Sequence, residues 1–163
     1  MQFKGFALVA SAFVFAACGS KGEEAPAAEA TPAPAAEAAA PAAAGTAAPI
    51  TGTTHEIKMI GDEKGYRFEP ANLTIKAGDA IKYVFVSGGP HNVAFDATGL
   101  APEVKAQLDA NFGTNKMAEL SSNMFMNAGE SITISFGNIP AGAYNYNCTP
   151  HLAMGMKGVI TVQ

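Results

Sequence analysis

The chain has 163 residues and a formal net charge of −4, with ten basic residues against fourteen acidic ones. That balance excludes a nucleic-acid binder that works through a basic surface. Beyond the first residues there is no second apolar run of the roughly 20 residues a membrane-crossing helix needs, so the bulk of the chain is expected to be water-soluble.

Residues 1–18 read as an export signal. Lys4 supplies a positive start, Phe6 to Phe15 form an apolar run, and the small pair Ala16-Ala17 precedes Cys18. This order matches a bacterial lipoprotein box, with Phe15 standing where that pattern prefers Leu. Lipidation of Cys18 is the expectation, and simple signal cleavage is its rival. Residues 19–51 are rich in Ala and Pro, and Pro26, Pro32, Pro34, Pro41 and Pro49 interrupt every stretch that alanine could make helical. With almost nothing apolar to bury, this segment is expected to be a disordered tether.

Residues 52–163 suffice for one domain with a single core. Short alternating runs broken by Gly, Pro and Asn predict an all-β sandwich. His55 to Ile60, Leu73 to Lys76, Ile81 to Val86 and His91 to Phe95 are the first predicted strands. Residues 102–111 are the one predicted helix, with Pro102 in its first turn and Val104 and Leu108 on one face. Ser131 to Phe136, with Ile132, Ile134 and Phe136 inward, is followed by Ala143 to Cys148 and Gly158 to Val162. Seven or eight strands in about 110 residues imply a Greek-key β-sandwich.

If Cys18 is consumed by processing, Cys148 is left alone in an oxidising compartment, where a free thiol needs protection or employment. Its neighbours suggest employment. In Cys148-Thr149-Pro150-His151-Leu152-Ala153-Met154-Gly155-Met156, a thiol, an imidazole and thioethers share one inter-strand loop. Thiolate with thioether is a soft set that selects copper over magnesium, calcium or manganese. His91 comes from a distant strand end, and strand ends of a sandwich cluster at one pole. His91, Cys148, His151 and Met156 thus compose a trigonal copper site with a weak axial methionine. Met154 is the competing axial residue. His55 has no motif around it and is expected to be an exposed strand histidine. Met117, Met124 and Met126 are expected to fill gaps or lie on the surface.

Residues 66–163 resemble plastocyanin, within the cupredoxin group that includes pseudoazurin and amicyanin. The resemblance is carried by Phe68-Glu69-Pro70-Ala71-Asn72-Leu73-Thr74-Ile75-Lys76-Ala77-Gly78-Asp79, by Pro90-His91-Asn92-Val93-Ala94-Phe95-Asp96, and by Pro140-Ala141-Gly142-Ala143-Tyr144 running into Cys148-Thr149-Pro150-His151. It implies a copper sandwich of eight strands, an electron-carrier role, and an Asn92 that ties the two ligand segments together by hydrogen bonds. The resemblance also implies the preference for Met156 over Met154, since Met156-Lys157-Gly158 fits the family's pattern of an axial methionine just before the turn into the last strand. Two departures speak against a photosystem partner. Asn147 stands where plant plastocyanins carry a tyrosine, and the helix region is mixed in charge rather than acidic.

The expected function is a mobile single-electron carrier cycling one type 1 copper ion between Cu(II) and Cu(I), lipid-anchored on the periplasmic side of the cell envelope. The alternative is copper delivery or storage. Expected partners are redox proteins such as cytochromes or membrane electron-transfer complexes, docking on a monomer near His151 and Leu152. The chain is not expected to be an enzyme, since three histidines are too few for a multicopper oxidase or nitrite reductase.

Overall fold

In the computed structural model, residues 45–163 are described. The expectations for residues 1–18 and for the tether up to residue 44 lie outside them. Two sheets face each other. One has four strands in the order β2-β1-β4-β8, from β1 (Thr54–Asp62), β2 (Gly65–Glu69), β4 (Ala80–Phe85) and β8 (Ser131–Ser135). The other has six, ordered β3-β10-β9-β5-β7-β6, from β3 (Asn72–Ile75), β5 (Ala94–Phe95), β6 (Lys116–Ala118), β7 (Ser121–Ser122), β9 (Gly142–Asn147) and β10 (Lys157–Val162). The pairs β1–β4 and β3–β10 run parallel and the other pairs antiparallel. This is the expected two-layer β-sandwich, with one short helix among the described residues, α1 (Pro102–Ala110).

Period-two alternation explains the inner faces. Ile57 and Met59, then Ile81, Tyr83 and Phe85, then Ile132 and Ile134 fill the core from the smaller sheet. Tyr144, Tyr146, Ile160 and Val162 meet them from the larger one. Phe68 packs on both Tyr83 and Tyr146, with ring centroids 6.1 and 4.6 Å apart, and Tyr83 meets Tyr146 edge-on at 5.5 Å. Leu108 is the buried residue of α1 that the predicted helical face required, and Val104 packs partly against the core.

The strand predicted at His91–Phe95 is shorter. Only Ala94–Phe95 joins a sheet, while His91 forms an isolated bridge with Phe125. The strands β2, β6 and β7 were not predicted from alternation. β6 and β7 carry few apolar residues and are held by ladder bonds and polar side-chain contacts, such as Val93 N–H donating to Ser122 Oγ, and β2 pairs in a hairpin with β1 from Lys58↔Glu69 to Asp62↔Gly65.

The folded part also reaches back before residue 52. The backbone N–H groups of Thr51 and Gly52 both donate to Gly78 O, and that of Ala48 donates to Asn111 Oδ1 at 2.8 Å. Asn111 Nδ2 donates to Ser135 O and Gly137 O, and Gln107 Nε2 donates to Asn111 Oδ1 and Thr46 O. A composition-based boundary misses this latch, because backbone groups of an Ala/Pro-rich segment, not its side chains, make most of the bonds. Nearby, His55 is half-buried rather than exposed. Its Nε2 lies 2.9 Å from Asp79 Oδ2, and Asp79 also accepts from the N–H groups of Thr53 and Lys76.

Candidate metal centre

The strands β4 and β8 set the two poles of the sandwich. Ala80 pairs with Ser135 near the latch, while Phe85, at the other end of β4, lies edge-on to the ring of His91 at 5.0 Å. At that second pole three buried side chains converge. His91, Cys148 and His151 each offer a ligand atom, and these atoms all lie within 4.8 Å of one another.

Each residue arrives from a different local cause. His91 is fixed by reciprocal backbone bonds, its N–H to Phe125 O at 3.1 Å and Phe125 N–H to His91 O at 2.8 Å. Its Nε2–H donates to Ser87 O at 2.9 Å, which leaves Nδ1 without a proton and aimed at Cys148 Sγ, 3.5 Å away. Cys148 follows β9 on the inward side, two residues after Tyr146. Thr149–Met154 then forms a 3-10 turn whose Pro150 suits its start, and this brings His151 Nδ1 to 3.4 Å from Sγ. Gly155 ends the turn at φ 84°, a left-handed conformation that glycine adopts without a Cβ clash.

That reversal decides where the two methionines lie. Met154, before it, is 61% exposed, while Met156, after it, is fully buried. Met156 is locked to the same loop by Cys148 N–H donating to Met156 O at 3.1 Å and Met156 N–H donating to His151 O at 3.2 Å.

Asn92 joins the ligand segments as the resemblance implied. Its Oδ1 accepts from Thr149 N–H at 2.7 Å, and its Nδ2 donates to Thr149 Oγ1 and Ser121 Oγ, both at 3.1 Å. Burial pushes the Cys148 thiol above its ordinary range, against the backbone N–H groups of Asn92 and His151 that face it. Burial also holds both imidazoles below theirs; Ser87 O opposes this at His91, and the nearby His91 adds to it at His151. Neutral imidazoles beside a desolvated sulfur suit a soft cation, which supplies the positive charge that makes the thiolate favourable. His55 lies at the opposite pole, bound to Asp79, and takes no part.

One residue at this pole was not anticipated. Tyr66 of β2 stacks on the His151 ring, with centroids 3.7 Å apart and planes inclined by 15°. Neither spacing nor composition flags a tyrosine on an edge strand as a neighbour of a loop 85 residues later.

Three comparisons with known proteins point one way. The family described as "Copper binding proteins, plastocyanin/azurin family" matches residues 55–163. Plastocyanin of Scenedesmus fuscus is 42% identical over 66% of this chain and 97% of its own length. Plastocyanin of Nostoc punctiforme is 39% identical over 68% of this chain and 74% of its own. Among solved structures, oxidised plastocyanin from Dryopteris crassirhizoma is similar at a TM-score of 0.52 and 29% identity, covering 66% of this chain and 99% of that one.

Proposed function

The chain belongs to the plastocyanin/azurin family of copper-binding proteins, and from that premise we propose that His91, Cys148, His151 and Met156 hold one type 1 copper ion for a mobile electron carrier of the cell envelope. The observation that carries this is the convergence of two imidazole Nδ1 atoms on one buried sulfur, with Met156 buried on the same loop. Copper bound there supplies a one-electron couple, Cu(II)/Cu(I).

The rest is the work of the chain's own residues. Ser87 O holds His91 in the tautomer that presents Nδ1. Asn92 holds the Thr149 turn against the His91 segment. Ligands held so firmly move little between the two charge states, which keeps the barrier to electron transfer low. Burial of His91, Cys148 and Met156 argues against copper delivery, which needs an open coordination position for hand-over.

Partners of the cytochrome kind would meet the pole near His151 and Leu152 through a small, weak interface. Leu152 is 49% exposed and offers an apolar contact there. The signal and box at residues 1–18 support export and lipidation at Cys18, with the Ala/Pro-rich segment as tether. Among the described residues no helix is long and apolar enough to cross a membrane.

The absorption spectrum and voltammogram of the copper-loaded protein test the proposal. An intense visible thiolate-to-Cu(II) band and a reversible one-electron wave are expected; a colourless copper complex would refute the site. Leu152→Glu is expected to slow reduction of a cytochrome while leaving spectrum and potential unchanged. For the anchor, Cys18→Ala is expected to release the protein from membranes into the soluble fraction.

A further inference from the structure

His151 is only 5% exposed, and on its β2 side a second ring intervenes. Tyr66 covers the face of the imidazole in van der Waals contact, and meets His91 obliquely with centroids 6.1 Å apart. Unlike the two histidines, Tyr66 keeps part of its surface in solvent.

The backbone is built to admit this ring. Tyr66 pairs with Gly61 across the β1–β2 hairpin. A Cβ on Gly61 would stand 2.7 Å from Tyr66 Cε1 and 2.9 Å from the Cα of Gly88. Gly88 itself has a φ of 74°, which favours glycine. Two glycines therefore let β1 and the turn before His91 approach closely while the Tyr66 ring lies over them. The neighbouring Arg67 is paired with Asp62 and Glu69, so the charge beside the ring is compensated.

We propose that Tyr66 is the outer end of the electron path, the surface ring that a redox partner touches, coupled to the metal centre through its stack on His151. The proposal rests on the electron-carrier reading above. One electron leaves the centre and one arrives at the partner. Tyr66 lends orbitals to the crossing and keeps its own electron count and its proton. Electronic coupling falls steeply with each gap in packing, so a ring in contact with the ligand carries the electron outward better than solvent or an aliphatic side chain does. The same stack fixes the plane of the His151 ring, so Tyr66 is also a positioning residue.

The test compares Tyr66→Leu with Tyr66→Phe in the full chain. For the copper-loaded proteins, the rate of reaction with cytochrome c and the electron self-exchange rate are measured, with potentials recorded so that rates are compared at equal driving force. For the metal-free proteins, the ring-proton NMR shifts of His151 report the stack independently of electron transfer. Tyr66→Leu is expected to lower both rates about tenfold and to move the His151 ring protons downfield, as the ring-current shielding is lost. Tyr66→Phe is expected to retain both rates and shifts, because the ring and not the hydroxyl carries the coupling.

A Tyr66→Leu protein that reacts at the wild-type rate would overturn the proposal. Equal losses in the Leu and Phe variants would overturn it as well, since they assign the effect to the hydroxyl. Should Tyr66→Leu lose its colour, Tyr66→Met provides a second ringless variant for the same comparison. A wild-type protein without the visible band or the reversible wave would instead sink the electron-carrier reading, so the two failures are distinguishable.

Discussion

The two poles of this sandwich both bury polar side chains, and both contain a histidine, yet they treat these groups in opposite ways. At the latch pole the polar atoms satisfy one another. Asp79 accepts from Thr53, Lys76 and His55, and Asn111 both accepts and donates within its pocket. At the other pole His91 Nδ1, His151 Nδ1 and Cys148 Sγ point at one small volume, where the backbone N–H groups of Asn92 and His151 face the sulfur and the two imidazole nitrogens meet no donor better than a thiol. A closed hydrogen-bond network stabilises a fold, whereas buried lone pairs converging without good donors wait for a cation. This, more than the presence of histidine, separates a site from a structural cluster.

Substitutions at the two poles should therefore fail differently. The largest effect is expected from Cys148→Ser, which removes the thiolate and with it the whole visible charge-transfer band. Its urea midpoint in the metal-free state should change little, and an intense band that survives the substitution would break the contrast at its root.

At the latch pole, Asn111→Ala should do the reverse. It leaves the Ala48 N–H and the carbonyls of Ser135 and Gly137 without their side-chain partner, at a cost of about 3 kcal/mol. Urea denaturation measures that loss, while the spectrum of the copper-loaded variant should match the wild type.

A smaller change is expected from Met156→Leu. The colour should remain and the reduction potential rise, because loss of a weak axial donor disfavours Cu(II) more than Cu(I). Met154→Leu, at an exposed position, should shift the potential far less. Voltammetry of the pair decides which methionine is axial, and a reversed order would exchange their roles.

The mildest test is by pH. The N–H of Lys76, the His55 side chain and the N–H of Thr53, against some opposing burial, lower the Asp79 pKa from 3.8 to about 2. A carboxylate depressed in the folded state contributes stability above its unfolded pKa, and that contribution is lost as pH falls from about 4 through about 2. Wild type and Asp79→Asn should therefore differ in denaturation midpoint at neutral pH and converge over that acid window. A difference that stays constant down to pH 2 would show that Asp79 is not held as an ion by these partners.

Much of the candidate site was legible without coordinates. The Cys148, His151 and Met156 spacing lies within one loop, and a local loop keeps its chemistry visible as a motif. The core of the sandwich was legible for a related reason. Alternating residues such as Ile132 and Ile134, or Tyr144 and Tyr146, report which face of a strand is buried.

The rest depended on contacts between distant parts of the chain. Hydrophobic alternation is silent about β6 and β7, whose residues bury little. It is silent too about His55, which finds Asp79 only because β1 and β4 lie side by side, and about Thr46–Thr51, whose backbone bonds have no side-chain signature.

By itself, then, the sequence determined the loop that carries three of the four proposed soft ligands and the two-layer β architecture, because each is written in local spacing or in period-two burial. Tertiary structure alone decided that His91 Nδ1 faces the sulfur, that Met154 turns out while Met156 turns in, and that Tyr66 lies flat on His151. Those outcomes depend on a left-handed turn at Gly155, a carbonyl at Ser87 and a close approach of Gly61 to Gly88, and such geometry exists only once separate strands have packed.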